Sequence, residues 1–252
     1  MVLIHAGQYV EGSYYAPQEM LDAATDLNAA GYLVFSVDYR LAPPGQIVGQ
    51  PDHSDPASGR PPQQTNDIKQ QFLAAKYHPK CNGTVFVVGG SSGAAHAAWI
   101  SLDLEDTTSN GWGLTTRPKA MVGLSGSYNL SSRDADSQQQ LDHFVDIVLN
   151  YTNTTNRDPD DPMQYAASAI SRIGLVNPAD IPPMRLYNSL SETMPHQQME
   201  GFSMALFTHG FSNFTAIQLA GAQHAFHYWN TPISQGSPTV GEDVIAFLNA
   251  NL

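Results

Sequence analysis

The sequence is short of several things, and each shortage excludes a class of function. It has one cysteine, Cys81, which rules out an intrachain disulfide and a cysteine-built metal site. Charged residues make up 13% of the chain, well under the usual share of about a quarter. Basic residues are the scarcer kind: 11 Lys plus Arg against 23 Asp plus Glu give a formal charge of −12. That balance disfavours phosphate backbones and anionic membrane surfaces, both of which require basic patches. No apolar run is long enough to span a membrane. The nearest, Val85 to Leu102, is interrupted by Gly89-Gly90-Ser91-Ser92-Gly93 and by His96. The opening Met1-Val2-Leu3-Ile4 has neither the basic segment nor the long apolar segment of a secretory leader, and reads as a core strand.

What is present suffices for a large core. Of 252 residues, 42% are apolar and 10% aromatic, enough for one large domain or two small ones. Short uncharged runs rich in β-branched residues alternate with amphipathic stretches of helix length. The candidate strands are Val2–His5, Tyr32–Val37, Thr84–Val88, Ala120–Leu124, Met184–Asn188 and Phe214–Leu219. The candidate helices are Pro17–Ala30, Gln63–Tyr77, Ser92–Leu104, Pro195–His209 and Val240–Leu252. This alternation predicts an α/β fold, a parallel sheet with crossover helices. Two segments break the rhythm. Ala42–Pro62, rich in Pro, Gly, Ser and Asp, reads as an irregular loop. Ser131–Pro183 carries a helical patch at Gln138–Leu149 and a polar tract at Tyr151–Pro162, and reads as a lid-like excursion over the site.

The sharpest chemical signal is Gly89-x-Ser91-x-Gly93, with the strand-like Val85-Phe86-Val87-Val88 before it and a small-residue helix after it. A serine at such a strand–turn–helix corner is forced into a strained conformation, and the flanking glycines let strand and helix approach closely. Its hydroxyl is then exposed at the carboxyl edge of the sheet. The other reading is a plain Gly-rich turn. A phosphate loop is excluded, because neither Gly-Lys-Ser/Thr nor Gly-x-Gly-x-x-Gly occurs there.

Taken with four further motifs, the chain resembles the α/β-hydrolase superfamily, in the branch of hormone-sensitive-lipase-like and feruloyl-esterase-like carboxylesterases and arylformamidases. Ile4-His5-Ala6-Gly7-Gln8-Tyr9-Val10-Glu11-Gly12 is similar to the family's His-Gly-Gly-Gly-Trp-x-x-Gly oxyanion loop, and Asp38-Tyr39-Arg40-Leu41-Ala42-Pro43 to its Asp-Tyr-Arg-Leu-Ala-Pro run. Ala167-Ser168 resembles its Ala-Ser-Pro, and Gly221-Ala222-Gln223-His224-Ala225-Phe226 its Gly-x-x-His-Ala-Phe. The resemblance implies an α/β-hydrolase fold in a single domain, residues 1–252, with about six mostly parallel strands and residues 131–183 as a lid or cap. Family members place antiparallel strands ahead of the oxyanion strand. Here Val2–His5 is already that strand, so a sheet without them is expected, with an exposed edge at Val2–His5 that a partner or a second copy would cover.

The resemblance also implies the site residues. Ser91 is the nucleophile, and His224 is the base among nine histidines. His227 reads instead as packing or pocket wall, His209 as a helix C-terminal residue, His96 as a core histidine and His5 as a structural part of the first loop. In this fold the acid follows the penultimate strand, where Glu192 stands three residues before Pro195; Glu200 and Asp180 are rivals, and a first-turn helix glutamate is the alternative reading of Glu192. The backbone N–H groups of Gly7, Gln8 and Ser92 are the oxyanion-hole candidates, with Ala6 and Gln8 replacing the family's usual glycines. Tyr9, Phe226, Tyr228 and Trp229 are candidate pocket walls, the other reading being core.

The function expected is hydrolysis of short-chain acyl or aryl carboxylic esters by a Ser-His-Glu triad, with no metal or other cofactor. Amide or formamide hydrolysis on the same triad is one alternative, and a catalytically silent binding protein on the same fold is another. Five Asn-x-Ser/Thr sequons, at Asn82, Asn129, Asn150, Asn153 and Asn213, and a low lysine content suit an extracytoplasmic protein.

Overall fold

A computed structural model describes residues 1–15, 18–42, 59–103, 111–132, 138–155, 157–158 and 160–252. Pro17, Pro43 and most of the Ala42–Pro62 loop, Leu104, and residues 133–137 of the excursion lie outside the described residues. In chain order the elements are β1 (Val2–Ile4), α1 (Gln18–Ala29), β2 (Phe35–Val37), α2 (Gln63–Lys76), β3 (Val87–Gly90), α3 (Ser92–Leu102) and β4 (Met121–Leu124). There follow α4 (Gln138–Thr152), α5 (Pro162–Ala166), β5 (Met184–Ser189), α6 (Gln197–Thr208), β6 (Phe214–Leu219) and α7 (Val240–Asn249). The strands form one sheet in the order β2-β1-β3-β4-β5-β6, and every pairing is parallel.

Strand sequence explains the layering. Every residue of β1, β3 and β4 is buried, as expected where helices cover both faces. Side chains alternate between faces along a strand. Val2, Ile4, Val87 and Met121 join one core with Phe72 of α2, Ile100 of α3 and Phe202 of α6. Leu3, Val88 and Val122 join the other, with Leu27 of α1 and Val244 and Leu248 of α7. A third, smaller core sits beyond the carboxyl ends of the strands. There Phe144, Ile147, Val148 and Tyr151 of α4, at helical spacing, pack on Tyr9, Ala95 and Met194.

Three expectations need correcting. Tyr32–Val34 and Thr84–Phe86 lead into the strands, the carbonyls of Leu33, Val85 and Phe86 already accepting from Met1, Lys119 and Val2, and β3 runs on to Gly90. The tract from Tyr151 begins inside a helix, because the apolar spacing carries α4 on to Thr152. Most important, Val2–His5 is not an exposed edge. The crossover through α1 sets β2 on one side of β1, and the crossover through α2 returns the chain to set β3 on the other. The sheet edges are β2 and β6. Among the described residues no helix is long and apolar enough to cross a membrane.

Candidate active site

The site is built where loops leave the carboxyl ends of the strands. Ser91 follows β3 at φ 53° and ψ −118° and caps the N-terminus of α3. A non-glycine residue there costs on the order of 1–3 kcal/mol. Surrounding contacts impose the conformation: Ser91 N–H donates to Leu124 O at 2.7 Å, and its carbonyl accepts from Ala94 N at 2.9 Å and Ala95 N at 3.1 Å. The two flanking glycines are required by close approach. A Cβ on Gly89 would strike the backbone of Gly93, and one on Gly93 the carbonyl oxygens of Ile4 and His5. Ser91 is buried and opens on a cavity of about 290 Å³ shared with Gly7, Gln8, His143, Ile147, Met194 and His224.

Glu192 lies in the turn after β5 with its side chain fully buried. Its Oε1 accepts from Ser125 Oγ at 2.8 Å, Asn188 Nδ2 at 2.8 Å and Ser189 N–H at 2.7 Å. Its Oε2 is bonded to His224 Nδ1. A carboxylate can only accept, so Nδ1 carries the proton and Nε2 of the neutral ring is left with its lone pair. His224 and Ser91 line the same cavity, and no hydrogen bond joins them among the described residues. Catalytic hydrogen bonds often close only in the substrate complex.

Ser125, the residue after β4, at φ 56°, connects the two loops. Besides holding Glu192, its Oγ accepts from the N–H of Ala225, the residue after His224, at 3.0 Å. Tyr228 OH lies 3.0 Å away. Burial, and then the nearby Glu192 charge, push the Tyr228 hydroxyl well above its ordinary range, so it stays protonated and donates.

The first loop is organised by backbone. Gly7, Gln8 and Tyr9 have φ of 142°, 53° and 69°. The turn is closed by Val10 N and Glu11 N donating to Gly7 O at 3.0 and 2.9 Å. The N–H groups of Gly7, Gln8 and Ser92 have no acceptor among the described residues. Asp38 and Tyr39 frame this loop. Asp38 Oδ1 lies 3.1 Å from His5 Nε2, and the Tyr39 ring stacks on His5 with centroids 4.3 Å apart. Tyr39 OH donates to His5 O at 3.3 Å and lies 3.0 Å from Ser92 Oγ, tying the first loop to the helix after Ser91.

The rival residues lie elsewhere. His227 is largely exposed with Glu19 at 3.2 Å, and Glu200 is exposed beside His196. His209 Nε2 bonds Val176 O, and Asp180 sits in a short 3-10 turn at residues 178–180. His96 is buried against Gln64, as its core reading requires. The pocket expectation needs correction. Phe226, Tyr228 and Trp229 follow His224 into a 3-10 turn that drives them into the core shared with α1 and α7, where Trp229 Nε1 donates to Asp26. Tyr9 is buried and lines a different cavity.

Sequence reading missed Ser125, Asn188 and two residues of α4. His143 Nε2 accepts from Gln8 Nε2 at 3.2 Å, and Gln140 Nε2 donates to Glu192 O at 2.7 Å. No local motif marks any of them. Among the described residues no cluster of His, Cys, Asp and Glu is arranged to hold a metal.

No protein-family model matches this sequence, and no curated protein matches it significantly. Solved structures do. An acetyl ester-xyloside bifunctional hydrolase from Caldicellulosiruptor lactoaceticus superposes with a TM-score of 0.72 at 16% identity, over 99% of this chain and 82% of the other. A hormone-sensitive lipase from a metagenome library gives 0.70 at 18% identity, over 100% and 77%. A Pyrobaculum calidifontis esterase gives 0.64 at 20% identity, over 99% and 74%. The parallel sheet, the strained serine after its third strand in sequence and these likenesses agree on one architecture: the chain has the α/β-hydrolase fold.

Proposed function

We propose that the chain is a serine carboxylesterase that cleaves short-chain acyl or aryl esters through an acyl-enzyme. Ser91 Oγ attacks the ester carbonyl while His224 Nε2 takes its proton, and Glu192 holds the imidazolium that forms. The N–H groups of Gly7, Gln8 and Ser92 receive the negative charge developing on the carbonyl oxygen. As the tetrahedral intermediate collapses, His224 returns the proton to the departing alcohol. Water then repeats the sequence on the acyl-enzyme and frees the acid. Residues 131–183, through α4, cap the cavity in this reading.

One observation carries the proposal. A strained serine at a helix N-terminus shares its cavity with a histidine whose Nδ1 is bonded to a fully buried carboxylate. The names of the solved structures above, all hydrolases, lipases or esterases, support the same reading. The test is p-nitrophenyl acetate turnover together with fluorophosphonate labelling. The wild-type protein is expected to hydrolyse the ester and take the label at Ser91, and Ser91→Ala to lose both, with kcat down by at least about a thousandfold. An unchanged rate in Ser91→Ala overturns the proposal.

A further inference from the structure

Most basic side chains of this acidic protein are spent on aspartates. Arg40 pairs with Asp67, Lys69 and Arg172 with Asp103, Arg157 with Asp146 and Arg185 with Asp243. Lys76, Arg117 and Lys119 differ. None of them has a carboxylate within ion-pair distance among the described residues, and all three line one cavity of about 440 Å³. Lys76 ends α2, while Arg117 and Lys119 stand in the loop that leads into β4. The wall is completed by chain about to enter the sheet: Thr84 ahead of β3, Pro183 ahead of β5 and Asn213 ahead of β6. The cavity therefore lies at the amino ends of parallel strands, and Ser91 lies beyond the carboxyl end of β3, at the opposite edge of the sheet.

Charge decides what such a cavity takes. No carboxylate lines it among the described residues. Lys76 Nζ donates to Gly83 O at 2.7 Å, and Gly83 belongs to the wall, so the ammonium is held at the cavity with donors to spare. Arg117 is half-buried. Asp180 attracts it from beyond ion-pair distance, and its Nη1 is buried without an acceptor among the described residues. A guanidinium keeps its charge even so. Lys119 is exposed. Three like charges gathered without a counter-charge repel one another, and a ligand of opposite sign relieves that repulsion. A singly charged carboxylate would leave two of the three uncompensated. Phosphate carries close to two charges at neutral pH and suits the planar fork of an arginine. The lining holds no aromatic ring on which a base or sugar could stack. Elsewhere the net charge of −12 repels anions, which makes this cavity a local exception.

We propose that this cavity binds a phosphate dianion, with Lys76, Arg117 and Lys119 sharing its charge. The same group has two sources: free inorganic phosphate, or a small phosphate monoester whose organic part fills the remaining space. Calorimetric titration of the full chain at neutral pH with inorganic phosphate, glycerol 3-phosphate and glycerol reads the binding without relying on turnover. Saturable binding of phosphate is expected, and none of glycerol. Arg117→Gln is expected to weaken phosphate by at least about tenfold. Lys119→Gln, at an exposed side chain whose loss does not disturb the fold, is expected to weaken it by at least about threefold. Lys80→Gln removes one positive charge from outside the lining and is expected to leave the affinity unchanged. Hydrolysis of p-nitrophenyl acetate is expected to be the same with and without phosphate, since the two sites lie at opposite edges of the sheet. Absent saturation by both phosphates, wild-type affinity in both Arg117→Gln and Lys119→Gln, or an equal loss in Lys80→Gln overturns the proposal. Tighter binding of glycerol 3-phosphate assigns the site to a monoester; tighter binding of inorganic phosphate assigns it to the free ion.

Discussion

The two sides of the proposed catalytic cavity are held in different ways. On the side proposed for acid–base work, side chains carry the geometry: Glu192 accepts from Ser125, Asn188, the Ser189 N–H and His224. On the side proposed to bind the oxyanion the backbone carries it, through a turn with three successive positive φ values framed from outside by Asp38 and Tyr39. The difference shows which substitutions each side tolerates. Gln8 at φ 53° occupies the left-handed region, which a non-glycine residue reaches at a cost of about 1–2 kcal/mol. A glycine of the family's loop can therefore be replaced here without losing its N–H. Gly7 cannot, because its φ is 142° and a Cβ would strike Glu11 O.

Three substitutions would break or sharpen this contrast. The largest effect is expected from Glu192→Gln, which keeps the shape but lets the amide donate to His224 Nδ1 and reverse its tautomer. Steady-state kinetics on p-nitrophenyl acetate should show kcat reduced by about a thousandfold to ten-thousandfold. Gly7→Ala comes next. It leaves every triad side chain in place yet displaces the turn, and kcat is expected to fall about a hundredfold to a thousandfold with fluorophosphonate labelling of Ser91 slowed in parallel. A near-normal kcat would show that the first loop does not bind the oxyanion. Ser125→Ala is expected to be mildest. Ser125 touches no substrate and acts through Glu192 and the Ala225 N–H, so kcat should fall about tenfold with KM nearly unchanged, and the acid limb of the pH–kcat profile should move. A loss of stability alone, with that profile unmoved, would make Ser125 merely structural.

Much of this was legible in the sequence, for physical reasons that differ by residue. Strand runs buried on both faces stand out by composition, which is why β1, β4 and β5 fall where the apolar runs predict them; β6, a partly exposed edge strand, stands out instead by its aromatic and β-branched residues. Ser91 was legible because its strained corner requires two glycines at fixed offsets, and both are needed in space. Glu192 was legible only by chain order relative to a strand and Pro195. Ser125 and Asn188 were not, since their roles arise from register: β4–β5 pairing sets Leu124 beside Tyr187, and so puts both residues next to the Glu192 turn. Phe226 and Trp229 misled because composition cannot tell which way a 3-10 turn throws its side chains. The position of β1 inside the sheet was equally hidden, because crossover order leaves no local trace.

The buried imidazole of His96 has a consequence for how the fold meets acid. Folded, its pKa is lowered to about 3, first by burial and then by His5; in the unfolded chain it returns to the ordinary 6.5. Between those values the unfolded chain binds the extra proton and the folded chain does not, so stability falls as pH drops through that window and is fully present above it. Urea unfolding at pH 7 and pH 4 should show the wild type losing more stability than His96→Gln. The same ring that keeps a cation out of the protein's interior thereby makes the molecule sensitive to acid.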